Sequence, residues 1–89
     1  MPWLPKILLA EPFWARHRGP FVLCLTRPHP KKKAGFHTSD WLKGTSDGPT
    51  IQDEAFALLT DPRDTITDIA VWSLSEQSHV MVYRKGDIE

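Results

Sequence analysis

The stretch DIAVWSLSEQSHVMVYRK, Asp68 to Lys85, constrains this chain more than any other. It reads as two strands, Ile66 to Leu74 and His79 to Arg84, around the polar turn SEQS. A half-buried strand alternates apolar and polar residues with period two, so one face of a hairpin is normally wet. Here Ala70, Trp72 and Leu74 lie opposite Ile69 and Val71, while Met81 and Tyr83 lie opposite Val80 and Val82. Both faces therefore need cover, and simple alternation sends Trp72, Met81 and Tyr83 out of the same one.

The remaining chain offers one clear helix with which to supply that cover. TIQDEAFALL carries Ile51, Ala55, Leu58 and Leu59 at the i, i+4, i+7, i+8 spacing of a buried stripe. Thr50 is read as its N-cap, with Asp53 at the capping-box position and Asp53 and Glu54 favouring the positive end of the helix dipole. Asp61 before Pro62 stops it, because the residue preceding a proline is pushed out of the helical region. Ahead of the helix, FVLCLTR from Phe21 to Arg27 is a strand bounded by Pro20 and Pro28, with Phe21, Leu23 and Leu25 on one side. PHPKKKAG is an exposed loop leading to a second strand near Phe36 and His37. TSDWLKGTSDGP reads as a loop with one helical turn from Ser39 to Gly44, anchored by Trp41.

The order is β-β-α-β-β, an α+β domain with about four largely antiparallel strands and one helix across one face. At 89 residues it is a single domain, 1–89, with room for one modest core. A ten-residue helix covers one sheet face only. Residues 1–20 are rich in proline (Pro2, Pro5, Pro12, Pro20), which excludes a long helix but allows a turn around Lys6 to Ala10. Trp3, Leu4, Ile7, Leu8, Leu9, Phe13 and Trp14 make this segment too apolar for a free tail, so it is expected to pack on the domain or on a partner. The second sheet face then has three possible covers: this segment, a second copy in a homodimer, or another protein. The segment is favoured, since intramolecular cover costs no association entropy.

Charge and cysteine usage narrow the class. Net charge is zero, yet residues 1–43 hold eight Lys/Arg against Glu11 and Asp40, and residues 44–89 hold nine acids against Arg63, Arg84 and Lys85. Such asymmetry marks a basic nucleic-acid surface or an acidic protein-binding surface only if the halves separate in space. The lone Cys24 excludes an internal disulfide and any CxxC motif, which fits a reducing, cytoplasmic setting. The apolar run ILLA is too short for a secretory signal or a membrane span, so no membrane association is expected.

Catalytic patterns are absent from the sequence. Cys24 in mid-strand reads as a small core residue, since an activated thiol needs a positioned base. His17, His29, His37 and His79 lack HxH or HxxxH spacing, although His37 and His79 could approach each other across the sheet. Asp61, Asp64 and Asp68 crowd a loop, where turn formation explains them. No enzyme activity, metal or cofactor is expected. Binding residues are expected at Lys31, Lys32 and Lys33, where RPHPKKK sets cations beside Phe36, His37 and Trp41 as nucleic acid would require, and at the aromatics Trp41, Trp72 and Tyr83.

The helix TIQDEAFALL feeding a terminal hairpin that ends in Tyr83, Arg84, Lys85 and Gly86 resembles the architecture of small phage-encoded proteins, among them type I anti-CRISPR proteins. The resemblance covers about 40 residues and is one of pattern, with no diagnostic motif. It implies a non-enzymatic inhibitor acting in the host cytoplasm by occupying a surface of a host protein or ribonucleoprotein complex, such as the CRISPR surveillance complex or its nuclease. The alternative is a nucleic-acid-binding module using the Lys31–Lys33 loop.

Overall fold

The computed structural model describes residues 12–87. The turn expected around Lys6 to Ala10 lies outside them. Strands β1 (Phe21–Pro28), β2 (His37–Trp41), β3 (Asp68–Ser73) and β4 (Ser78–Arg84) form one sheet in the order β2-β1-β3-β4, with every pair antiparallel. Helix α1 (Gly48–Thr60) lies across one face, and short 3-10 turns occur at Phe13–Ala15 and Lys85–Asp87. The β-β-α-β-β reading and the α+β class hold.

The core forms where the stripe of α1 meets that face. Ile51, Ala55 and Leu59 of the helix pack against Phe21, Leu23 and Leu25 of β1, Ile69 and Val71 of β3, and Tyr83 of β4. Ser73, fully buried at the end of β3, donates its hydroxyl to the Arg18 carbonyl and accepts from the Glu76 amide, so its burial leaves no polar atom unpaired. At the opposite end, Arg27 grips Asp64 through two hydrogen bonds of 2.9 and 3.1 Å, fastening the loop after α1 to β1.

Three expectations are corrected. The helix starts two residues early, at Gly48 and Pro49, and its N-cap is Asp47, whose carboxylate accepts from the Thr50 amide at 2.9 Å. Residues 37–41 continue as strand instead of turning into helix at Ser39. The hairpin turn spans residues 74–77, and β3 and β4 pair Ile69 with Tyr83 and Val71 with Met81, then Trp72 with His79. Val80 is the extra residue of a bulge. Trp72 therefore does not share a face with Met81 and Tyr83, because alternation along β3 turns it away from Ile69 and Val71, which those two residues face.

The amino-terminal segment is described from Pro12 onward. Its described part packs on the helix side: Phe13 is buried, meeting Phe21 edge-to-face at 4.9 Å, and Trp14 lies against Gly48. The buried stripe of α1 is Ile51, Ala55 and Leu59, and the Phe13 ring adds to the same core by meeting both Phe21 and Tyr83. Cover of the second face by residues 1–11 lies outside the described residues.

Candidate binding face

The side chains that alternate away from the core define the second face. Register places Trp41, Cys24, Ala70 and Val82 in one row across the four strands. Val22, Trp72 and His79 form the next row, towards the β3-β4 turn. Ser39, Thr26, Asp68 and Arg84 form a polar row on the other side, with the Ser39 and Thr26 hydroxyls hydrogen-bonded at 3.2 Å. The face is thus apolar and aromatic at its centre.

No described element covers it. Trp41 is 55% exposed and Val82 38%, and Val22, Cys24, Ala70 and Trp72 are half-buried by one another. The rings of Trp41 and Trp72 meet at 5.3 Å with an interplanar angle of 63°, and Trp72 meets His79 at 5.7 Å and 66°. These edge-on contacts pack the rings against one another, and Trp41 still leaves more than half of its surface in solvent. Burial, and secondarily the charge of Asp40, push the Cys24 thiol above its ordinary range, so it stays protonated at neutral pH.

The expected binding residues separate into three places. Trp41 and Trp72 come together on the open face. Lys31, Lys32 and Lys33 are exposed in the β1-β2 loop, where Gly35 takes a positive φ of 99° and the Lys32 ammonium lies 5.3 Å above the Phe36 ring. Tyr83 belongs to neither. It is 3% exposed, packed between Phe13 and Phe56. As a side chain on the core face it has no route to a partner, which corrects the expectation.

The histidines also part company. His37 and His79 sit on the two edge strands, separated by the whole width of the sheet, about 14 Å at the usual strand spacing, so they do not form a ligand pair. His17 instead meets Glu76 at 3.0 Å, and the Arg18 amide donates to the same carboxylate at 2.9 Å. Those contacts hold the Glu76 carboxyl below the usual carboxylate range and tie the β3-β4 turn to the amino-terminal segment.

No protein-family model, curated protein or solved structure matches the chain. No helix among the described residues is long and apolar enough to cross a membrane. His79, Val82 and Cys24 are among the contributors to the face that were not expected as binding residues. The placement of His79 depends on the bulge at Val80, which has no glycine to announce it. Val82 and Cys24 were visible as alternating residues, and only the strand order β2-β1-β3-β4 brings them beside Trp41.

Proposed function

We propose that this chain is a non-enzymatic binding protein whose contact surface is the open face of its sheet. One observation carries the reading: Trp41, Trp72 and Val82 converge on the side of the sheet opposite α1, where no described element covers them. The exposed indole of Trp41 beside the half-buried Trp72, bordered by Ser39, Thr26, Asp68 and Arg84, has the make-up of an interface centre with a polar border. The inhibitor class implied by the phage-protein resemblance falls within this reading, with a host complex as the partner, and rests on that resemblance alone.

Cys24 provides the test, since it is the only cysteine and lies in the middle of the face. Its reaction with a thiol-specific disulfide reagent should go to completion in the folded, full-length chain, with the unfolded chain as reference. The chain lacking residues 1–11 should react at the same rate, and sedimentation should show a monomer. Protection of Cys24 that disappears on deleting residues 1–11 means that the chain covers its own face. Protection that disappears on dilution means that a second copy does. Either result overturns the proposal.

A further inference from the structure

We infer that the open face takes single-stranded nucleic acid, with Trp41 and Trp72 as stacking surfaces and the Lys31–Lys33 loop as the phosphate contact. The inference rests on the reading that this face is a binding surface, and it names the partner.

Aromatic rings presented by a sheet serve an apolar protein and an unpaired base equally well, so charge decides. Among residues 12–76, the acids other than Asp68 are turned away from the face. Asp47, Asp53 and Glu54 belong to α1 and its cap, Asp61 and Asp64 to the loop that follows it, and Glu76 is tied to His17 at the hairpin turn. Asp40 pairs with Leu25, which puts it on the helix side of β2, 3.9 Å from Arg27. Asp68 alone projects from the face, and its cross-strand partner there is Arg84. Cations gather at one end of the sheet, where Lys31, Lys32 and Lys33 are exposed in the β1-β2 loop that leads into β2.

Reach is consistent with this arrangement. His37 and Trp41 are four steps apart along β2, about 13 Å, so a few nucleotides extend from the lysine loop to the indoles. Phe36, 47% exposed beside Lys32, offers another ring at the loop. Stacking on indoles requires bases that are not already stacked in a duplex, and every base has a π-face, so the preference is for single strands without sequence specificity.

The test is fluorescence anisotropy of a labelled oligothymidylate of about twelve nucleotides, within the site sizes such platforms cover, titrated with the full chain across a salt series. Binding is expected at low salt, and the matched duplex should bind more weakly. Trp41→Ala and Trp72→Ala should each weaken binding about tenfold while the variants stay folded by far-ultraviolet circular dichroism. Replacing Lys31, Lys32 and Lys33 together by Gln should flatten the slope of log K against log salt by up to about 2, from roughly 0.7 per phosphate contact on a single strand. Bound oligonucleotide should also slow the reaction of Cys24. Failure of the native chain to bind at low salt overturns the inference, as does binding that both tryptophan variants retain, which reduces it to charge on a loop. If no oligonucleotide binds while Cys24 remains reactive in a monomer, the binding face stands and its partner is a protein. If Cys24 is protected in the chain alone, face and partner fall together.

Discussion

At Gly48 a single methyl group decides whether the amino-terminal segment can dock. A Cβ there would lie 2.4 Å from the Cβ of Trp14 and 2.6 Å from its Cγ, and atoms so near the backbone cannot swing aside. Gly48→Ala should therefore cost about 1–3 kcal/mol, the usual range for overpacking, despite the better helix propensity of alanine; the urea midpoint measures it. Tyr83 gives a second prediction at this scale. Burial pushes its phenol up from 10.0 to about 12, and it is the only tyrosine, so the phenolate absorbance has one source. The folded chain should titrate near 12 and the denatured chain near 10.0. Because the folded state holds the proton more tightly, stability is unaffected below pH 10 and falls between 10 and about 12. A midpoint near 10 in the folded chain would place the ring outside the core. The same ring shows where the sequence misleads: Tyr83 has the composition of a binding residue, and only the pairing of Ile69 with Tyr83 assigns it to the interior.

At the level of elements, the stripe of α1 was legible and its first turn was not. Ile51, Ala55 and Leu59 are buried at the spacing expected of them. Pro49 was placed in the preceding loop, whereas a proline in the first turn lacks a donor that the helix leaves unpaired anyway. The cap therefore moves from Thr50 back to Asp47, whose carboxyl is held below its usual range by the Thr50 amide. A carboxyl with a lowered folded pKa stabilises above its unfolded value and loses that contribution as pH falls through the folded one. Asp47→Ala should accordingly lower the melting temperature at neutral pH, and the gap from the native chain should close as pH drops below about 4. A gap that persists at acid pH would locate the effect elsewhere than in the cap. The bulge in β4 was not legible because Val80 and Met81 are both apolar. Both lean on the core, and a strict period of two cannot represent two consecutive residues on one side.

For the molecule as a whole, the described residues make two layers, one helix on one sheet. The sequence predicted this imbalance correctly, from apolar residues on both faces of a sheet with a single helix to cover them. It did not tell which side Phe13 and Trp14 would take, since composition shows that a segment must be buried without showing against what. The two faces now make opposite predictions for two aromatic residues of similar size. Phe13, 7% exposed and in edge contact with Phe21, Trp14 and Tyr83, closes the core. Its replacement by Ala should cost about 3–5 kcal/mol. A chain of this length has a total stability of roughly 4–13 kcal/mol, so Phe13→Ala should lower the melting transition severely or abolish its cooperativity. Trp41, 55% exposed on the open face, should be replaceable by Ala with a change within about 1 kcal/mol, because most of its surface is in water already. Circular dichroism melts of the two variants compare the faces directly. Equal losses would mean that Trp41 is as buried in solution as Phe13, and that the second face is a covered core surface in the working protein.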